Sequence, residues 1–415
     1  MLDEIIKIVN THHKWRRQEC INMIASESVM SPLAEKLYTS DFSGRYNEHT
    51  SGDCHYNGTK YSYEIEDLCN SIFRKNFNTR FADARPLSGG IANLSVFAAL
   101  AKMGDILVGT GIPNGAHVSH TRYGMAGVRG MKNVDMFFDK DKMNINVERT
   151  IDIIKKVNPK IVMFGASVFL FPQPIREIKE SIDPNIKIVY DSAHVFGLVY
   201  NKKFQKPFEE GADIITSSTH KTFQGPQGGI VIGNNNMDEK EWKKIETALF
   251  PKVVSNSHIH RFPALAVTAL EMNKFGEEYS TQVIRNAKYL ADALTREGFD
   301  VLCPQLGFTE SHQAMVNVKK FGGGKTVANI LEECNIITSK SALPGDSSDD
   351  ATRNPSGIRL GVQELTRFGM REREMKAIAT FFRNALIDKK DPKKIKEEVI
   401  EFRKQFQKIK YCFDV

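Results

Sequence analysis

Lys221 is the residue whose surroundings most strongly suggest covalent chemistry. Hydroxyl residues precede it from 217 to 219, and a glycine-rich run, residues 224–229, follows it. A Schiff base needs an unprotonated, desolvated lysine amine, and glycines let the backbone come close to a planar ligand. The segment therefore suits an amine that binds an aldehyde, although a lysine taken alone is more often a surface charge.

Three further segments carry side chains that suit other parts of a phosphorylated aromatic ligand. Asp191 ends an apolar run and could hold a pyridinium nitrogen protonated, or could be a buried acid or a helix N-cap. The run Ser88-Gly89-Gly90 precedes a helical pattern and could bind an anion, or could be only a turn. His117 could stack on an aromatic ring, or could be a packed or surface histidine.

The order of these segments along the chain is more specific than any one of them. A phosphate cup, a stacking histidine, a pyridine-binding carboxylate and a Schiff-base lysine follow one another in one region of alternating strands and helices. Such alternation predicts a mostly parallel sheet with ligands beyond the carboxyl ends of its strands. The combination predicts a pyridoxal 5'-phosphate enzyme of fold type I, with an aspartate-aminotransferase-like large domain of the α/β class.

The hydrophobic periodicity predicts three parts in the chain of 415 residues, which is long enough for two cores. Residues 1–61 are interpreted as an N-terminal helix, predicted over 2–23, followed by an irregular, aromatic arm whose composition indicates a functional segment. Residues 62–275 are predicted to form the large α/β domain that binds the cofactor. Residues 276–415 are predicted to form a smaller C-terminal α+β domain, which begins with a helix over about 279–298.

Composition excludes several other classes of protein. A hydrophobic content of 41% with 26% charged residues is ordinary for a globular protein, and excludes a disordered or fibrous chain. The six cysteines are scattered without a C-x-x-C pair, which excludes the common zinc spacings and indicates a reducing compartment. No signal-peptide pattern opens the sequence, and the most apolar run, residues 161–172, is too short to span a bilayer. We therefore expect a cytoplasmic protein that binds no metal.

The formal net charge of +7 has two interpretations. One is a solvated, lysine-rich surface, and the other is attraction of anions such as phosphates, carboxylates or nucleic acid. The sequence has no nucleic-acid motif with interleaved aromatic residues. We therefore expect neither a nucleic acid nor a membrane as a partner.

Several longer motifs resemble the serine hydroxymethyltransferase family, also called glycine hydroxymethyltransferase. The resemblance covers about residues 21–382. Its motifs are Ile24-Ala25-Ser26-Glu27, Arg45-Tyr46-Asn47-Glu48, Asp191 with His194, Thr219-His220-Lys221-Thr222 and Ser356-Gly357-Ile358-Arg359. The runs at 223–229 and 360–367 are most similar to the archaeal branch of that family.

The resemblance implies a role for each residue of a cofactor site. Lys221 would carry pyridoxal 5'-phosphate, Asp191 would pair with its ring nitrogen, and His117 would stack on its ring. The implied cofactor-binding residues are Ser88, Gly89, Gly90, His117, Ser167, Asp191, His194, His220 and Lys221. The implied catalytic residues are Lys221, Glu48, His117 and Tyr56.

The resemblance also implies a substrate site and a homodimer. Arg359 would bind the substrate carboxylate with help from Ser26, because a planar guanidinium suits a carboxylate. Glu48 would move a proton at the serine hydroxyl or at the one-carbon unit, and Tyr46 and Tyr56 would line the site. In the family these last loops cross from the neighbouring subunit, which implies a homodimer with shared sites.

Some positions depart from the family pattern. Ser28 stands where the family usually has asparagine, and His55 replaces one of two tyrosines on the pterin side. Ser339 and Ser341 stand where asparagines are expected near the one-carbon carrier. Lys252 stands where a glycine is usual, and it could bring a charge to an anion or could simply face solvent.

Two enzymatic activities and one non-enzymatic role remain open. The first activity is reversible interconversion of serine and glycine, with transfer of the one-carbon unit to a reduced pterin, either tetrahydrofolate or tetrahydromethanopterin. The alternative is an aldolase or transaldolase that acts on threonine-like β-hydroxy amino acids without a pterin. The departures on the pterin side favour that alternative, whereas retention of Glu48 favours the first. An inactive RNA-binding protein is disfavoured because Lys221, Asp191 and Arg359 are all present.

Overall fold

The computed structural model describes residues 1–50, 53–347, 351 and 353–414. The α-helices are labelled, in chain order, α1 (Leu2–His13), α2 (Pro32–Tyr38), α3 (Lys60–Asn76), α4 (Gly89–Leu100), α5 (Met125–Val128), α6 (Val147–Val157), α7 (Ile175–Lys179), α8 (Phe196–Tyr200), α9 (Glu239–Thr247), α10 (Arg261–Arg296), α11 (Gly324–Glu333), α12 (Gln363–Arg367), α13 (Glu372–Leu386) and α14 (Pro392–Arg403). Residues 51 and 52 of the predicted arm lie outside the described residues.

The strands are short, and most are two to five residues long. They are labelled β1 (Ile21–Asn22), β2 (His49–Thr50), β3 (Asp53–Cys54), β4 (Ala82–Asp83), β5 (Ile106–Gly109), β6 (Lys132–Asp135), β7 (Phe138–Asp139), β8 (Asn144–Ile145), β9 (Ile161–Phe164), β10 (Lys187–Asp191), β11 (Ile214–Ser218), β12 (Gly229–Gly233), β13 (Asp300–Val301), β14 (Gln313–Asn317), β15 (Ile336–Ile337), β16 (Ser339–Ser341) and β17 (Gly357–Gly361).

The chain divides into two compact units. The larger unit comprises Ser28–Ser280 with Cys412–Val415, and the smaller comprises Met1–Glu27 with Thr281–Tyr411. Within the described residues, no helix combines the length and apolar character needed to cross a membrane.

A seven-stranded sheet forms the centre of the larger unit, in the order β4-β12-β11-β10-β9-β5-β6. The strands from β11 to β6 run parallel to one another, whereas β12 is antiparallel to both of its neighbours. Strands such as β9 are apolar and buried along their whole length, as expected where helices cover both faces of a sheet. The mostly parallel α/β sheet predicted from the sequence is confirmed.

Helix α4 packs against this sheet and starts beside Ser218, at the carboxyl end of β11. The side chain of Ser88 caps the helix, because its Oγ accepts a hydrogen bond from the backbone N–H of Ile91 at 3.2 Å. Val96 and Phe97 on the same helix are fully buried in the core. The apolar face therefore fixes the helix axis, and the cap fixes where its N-terminus lies.

The smaller unit contains a four-stranded antiparallel sheet in the order β13-β14-β17-β16. A separate parallel pair joins β1 to β15, with Ile21 opposite Ile336. The N-terminal helix predicted over 2–23 is too long, because α1 ends at His13 and a π-helical segment, Lys14–Glu19, leads into β1. Pairing of β1 with a strand 315 residues later overrides the local helical pattern.

The helix predicted over 279–298 is much longer in the structure, since α10 starts at Arg261. Its first twelve residues are almost all buried, among them Phe262, Leu265 and Ala269, and so lack the polar face that marks the later part of the helix. Pro263 lies in the first turn, where a missing N–H costs nothing. The amphipathic pattern therefore revealed only the part of the helix that has an exposed face.

Candidate cofactor and substrate site

Asp191 ends β10, and its buried carboxylate accepts hydrogen bonds from three directions. Oδ1 accepts from the backbone N–H of Ala193 at 2.9 Å. Oδ2 accepts from Nδ2 of Asn93 at 2.8 Å and from Nε2 of His120 at 2.8 Å. A carboxylate can accept about four hydrogen bonds, so Oδ1 retains capacity for one further donor.

These partners determine the charge of Asp191. Burial alone would raise its pKa, but the hydrogen bond and charge of His120, the charge of His117 and the Asn93 amide together lower it below its usual value. Asp191 is therefore ionised at neutral pH. An ionised, buried carboxylate can hold a protonated ring nitrogen in place.

A chain of hydrogen bonds links the carboxylate to His117. Nδ2 of Asn93 also donates to Oγ of Ser119 at 3.0 Å, and that oxygen lies 2.7 Å from Nδ1 of His117. Oδ1 of Asn93 accepts from Oγ1 of Thr216 on β11 at 2.6 Å. The fully buried Asn93 therefore ties the predicted stacking histidine and the predicted pyridine-binding acid to one framework.

Lys221 lies just beyond β11 and is only 8% exposed. Its neighbour Thr222 donates a hydrogen bond from Oγ1 to the carbonyl of His194 at 2.9 Å, and accepts one from the N–H of Gly197 at 3.0 Å. Burial and the charge of Lys221 lower the pKa of His220 to about 4, so this histidine is neutral. The lysine thus lies in a desolvated environment, as Schiff-base chemistry requires.

The Ser88–Gly90 segment meets the end of β11 directly. A Cβ atom added to Gly89 would lie 3.1 Å from the backbone nitrogen of Ser218 and 3.3 Å from its Cβ. Such contacts are tighter than ordinary van der Waals distances, so a side chain at this position would push the two segments apart by a few tenths of an ångström. The N-terminus of α4, whose first backbone N–H groups have no carbonyl partner within the helix, therefore lies beside the strand that leads to Lys221.

Ser167 follows β9 at the same edge of the sheet. Its backbone N–H donates to the carbonyl of Gly115 at 2.7 Å, which brings it to the loop that carries His117. A Cβ atom on Gly165 would lie 2.1 Å from the carbonyl oxygen of Asp191. The structure therefore brings Ser167, His117 and Asp191 to one place.

The polar groups at this edge fit pyridoxal phosphate. Within the described residues, Oγ of Ser218 and Nδ1 of His220 are buried without a hydrogen-bond partner. Buried polar atoms in folded proteins are usually hydrogen-bonded. A helix N-terminus for a phosphate, a carboxylate for a pyridinium and a buried lysine for an aldehyde complete the set.

Tyr46, Glu48 and Tyr56 form a second group in the arm. The two tyrosine rings lie 5.8 Å apart, edge to face, and their residues are 56% and 48% exposed. The carbonyl of Glu48 accepts a hydrogen bond from the N–H of His55 at 2.9 Å. These exposed aromatic residues are available to line a site.

Glu66 anchors both neighbours of Glu48. Oε2 of Glu66 accepts from Nδ2 of Asn47 at 2.6 Å, and Oε1 lies 3.0 Å from Nε2 of His49. Glu66 is 3% exposed and also lies 3.8 Å from Nε of Arg85. Because Asn47 and His49 both contact Glu66, this buried residue holds the chain on both sides of Glu48.

Arg359 and Ser26 belong to the smaller unit. Arg359 lies on β17, opposite Met315 of β14 and Ser339 of β16, and burial lowers its pKa to about 10. It therefore remains charged at neutral pH. Ser26 lies in the turn that follows β1 and is half-buried.

The departures from the family pattern occupy different environments. His55 is exposed, with its ring 6.4 Å from that of Phe250, and Lys252 is also exposed. Ser339 and Ser341 are half-buried, and Oγ of Ser339 donates to the carbonyl of Arg359 at 3.2 Å. One of the serines therefore touches the backbone of a predicted substrate-binding residue.

Sequence reasoning missed Asn93, Ser119 and His120. One signal was present, since His120 follows His117 by three residues, so that two histidines share one loop. Asn93 and Ser95 are the two polar residues in an otherwise apolar helix, a pattern that indicates buried partners but does not identify them.

Comparisons with known proteins show the family and the fold of the chain. The model of the family described as serine hydroxymethyltransferase matches residues 1–382. A serine hydroxymethyltransferase from Sulfolobus acidocaldarius is 48% identical over 413 residues, covering 99% of this chain and 94% of the relative. One from Staphylothermus marinus is 48% identical over 415 residues, covering 100% and 94%. The solved structure of L-threonine transaldolase from Pseudomonas fluorescens is 26% identical, with a TM-score of 0.91 and coverage of 100% of this chain and 94% of that one.

Proposed function

Because the chain belongs to the serine hydroxymethyltransferase family, as its predicted archaeal-like resemblance indicated, we propose that the residues described above carry out that family's reaction. The enzyme interconverts serine and glycine with pyridoxal phosphate and transfers the one-carbon unit to a reduced pterin. The observation that carries the assignment of roles is the pair of hydrogen bonds that Asn93 and His120 donate to Asp191. This carboxylate lies close to the contact between the start of α4 and the end of β11.

The cofactor site uses groups of the larger unit. When bound, pyridoxal phosphate withdraws electrons from the substrate's Cα, which lets the Cα–Cβ bond of serine break. Lys221 binds the cofactor aldehyde, and Asp191 holds the ring nitrogen protonated. His117 covers the ring. The remaining contacts to the phosphate and ring come from Ser88, Gly89, Gly90, Ser167, His194 and His220.

The substrate carboxylate pairs with Arg359, and Ser26 supplies a second hydrogen bond. Arg359 is half-buried and is charged at neutral pH, which supports this role. A partly buried guanidinium binds a carboxylate more strongly than a fully exposed one, because water competes less.

Glu48 moves the proton at the serine hydroxyl or at the one-carbon unit, and Tyr46 and Tyr56 line this part of the site. Support comes from the anchoring of both neighbours of Glu48 to Glu66. The exposure of both tyrosines supports an arm, within residues 1–61, that reaches a neighbouring subunit. On this proposal the enzyme is a cytoplasmic homodimer with a cofactor domain over 62–275 and a small domain over 276–415.

A pterin-independent aldolase or transaldolase is the second candidate. The likeness to L-threonine transaldolase favours it, as do His55, Ser339 and Ser341 in place of the family's usual residues. Glu48 favours the pterin-dependent activity. The pterin-dependent activity has two forms, which differ in whether the carrier is tetrahydrofolate or tetrahydromethanopterin.

The experiment is an absorption titration of the purified holoenzyme combined with turnover. Glycine is added first, and then tetrahydrofolate or tetrahydromethanopterin. A new long-wavelength band that needs one pterin, together with serine cleavage, supports the transferase and identifies its carrier. Cleavage of threonine-like substrates without any response to either pterin would support the second candidate. Lys221→Ala serves as the control, and must abolish the visible band of covalently bound cofactor.

A further inference from the structure

The turn that carries Ser26 is held through its backbone carbonyls. The carbonyl of Met23 accepts from the N–H of Gly361 at 2.9 Å. The carbonyl of Ala25 lies 3.1 Å from Nε2 of the fully buried His312. A Cβ atom added to Gly361 would lie 2.5 Å from Cα of Ala25, so strand and turn are in direct contact.

Gln363 holds the same turn at both of its ends. Its Nε2 donates to the carbonyl of Ile24 at 2.8 Å and to the carbonyl of Glu27 at 2.6 Å. These two carbonyls flank Ser26, and Gln363 is fully buried. Since one amide nitrogen satisfies both, a change in Gln363 shifts both sides of the serine together.

The buried residues Asn22 and Glu364 and the exposed Glu27 form a polar cluster beside this contact. Nδ2 of Asn22 donates to Oε2 of Glu27 at 3.0 Å and to Oε2 of Glu364 at 2.7 Å. Glu27 also pairs with Arg16. The amide of Asn22 therefore joins Glu27, the residue after Ser26, to Glu364, the residue after Gln363.

The element that holds the turn also carries Arg359. Strand β17 contains Arg359, ends at Gly361 and is followed directly by Gln363 at the start of α12. The distance along the chain from the guanidinium residue to the clamping amide is only four residues. A shift of Gln363 therefore changes the position of Ser26 relative to Arg359.

We propose that Gln363 is a positioning residue that acts through Ser26 to set the affinity for the substrate's carboxylate. This inference rests on the proposed function, in which Ser26 and Arg359 bind that carboxylate. Asn22 and Glu364 steady the same turn, while Gln363 makes the direct contacts. Gln363 and Glu364 both lie in the family-like run at 360–367, so part of that run holds the Ser26 turn in place.

A double-mutant cycle tests the proposal. Gln363→Ala, Ser26→Ala and the double variant are compared as holoenzymes, with the dissociation constant of glycine measured from visible absorption. Gln363→Ala should weaken glycine binding roughly tenfold in the native background, the order expected for loss of one well-placed hydrogen bond. In the Ser26→Ala background the same change should weaken glycine binding by less than about twofold, since the Ser26 hydroxyl through which Gln363 acts is gone.

Gln407→Ala is a matched control, because Nε2 of Gln407 also donates to two backbone carbonyls, those of Gln18 and Arg403, away from the Ser26 turn. It should leave glycine affinity unchanged.

If Gln363→Ala does not fold, Gln363→Glu removes the donor at similar volume and replaces it in the cycle. The KM for serine should rise while kcat changes little.

Two failures can be told apart. Equal losses from Gln363→Ala in both backgrounds, with Ser26→Ala itself weakening binding, would overturn only the positioning role. Unchanged glycine affinity in both Ser26→Ala and Arg359→Lys would overturn the proposed carboxylate site, and the positioning role with it.

Discussion

Nε2 of His120 lies 2.8 Å from Oδ2 of Asp191, and both side chains are buried. In this geometry the imidazole donates a hydrogen bond to a carboxylate. His120 therefore stabilises the ionised form of Asp191, and it does so in a site where water cannot replace it.

His120→Phe should reduce turnover by roughly 10- to 100-fold, the order expected when a hydrogen bond to a buried charge is lost. The cause is a rise in the pKa of Asp191, which weakens its hold on the ring nitrogen. The measurement is kcat for serine cleavage, with the cofactor's visible spectrum recorded in parallel. His120→Gln should recover part of the activity, since its amide can also donate.

His12→Phe is the control for the change of side chain, because His12 is exposed on α1. It should behave like the native enzyme. Equal activity of His120→Phe and the native enzyme would show that Asp191 needs no donor from this histidine.

Glu66→Gln tests the anchor beside Glu48. The substitution keeps the size of the side chain but weakens its bonds to Asn47 and His49, so the loop that presents Glu48 should loosen. We expect kcat to fall roughly tenfold while the dissociation constant of glycine changes little. Steady-state kinetics and the glycine titration measure the two quantities separately.

Asp67→Asn is the matched control, since Asp67 follows Glu66 on α3 but pairs with Arg74 at the surface. It should leave kcat unchanged. A Glu66→Gln enzyme with native kcat, or with weakened glycine binding alone, would contradict the role assigned to the anchor.

The strands and the main site segments could be predicted from the sequence because their signals are local. Apolar runs such as 161–164 identify buried strands, and the residues at their carboxyl ends identify the ligand edge. Asn93 could not be assigned from the sequence, because its partner Asp191 is 98 residues away and only the folded sheet brings them together. Likewise, β1 was predicted as helix because its pairing with β15 is not visible locally.

Gly89→Ala tests the close contact between α4 and β11. The added methyl would lie 3.1 Å from the backbone nitrogen of Ser218, so one of the two segments must move. We expect cofactor affinity to fall roughly tenfold, because the helix N-terminus is displaced from the phosphate. Equilibrium dialysis of the holoenzyme against buffers of known cofactor concentration measures the change.

Gly44→Ala is the comparison, since a Cβ atom there would meet nothing within 4 Å. Its cofactor affinity should equal that of the native enzyme. Unchanged affinity in Gly89→Ala would mean that the segment does not form the phosphate cradle.

Glu364 should give the smaller unit a pH-dependent stability. Burial raises its pKa from an ordinary 4.5 to about 7, with the charge of Glu27 adding to the rise, while Asn22, Arg16 and Arg403 oppose it. Between these two values the folded state retains a proton that the unfolded state has released. The contribution of Glu364 to stability is therefore fully present below pH 4.5 and is lost as the pH rises towards 7.

Glu364→Gln should remove this dependence, because an amide does not titrate. Relative to the native protein, the variant should gain about 3 kcal/mol in free energy of unfolding between pH 4.5 and pH 8. Urea unfolding at a series of pH values measures the difference, with the exposed Glu397→Gln of α14 as control. A constant difference between Glu364→Gln and the native protein across this range would show that folding does not raise the pKa of Glu364.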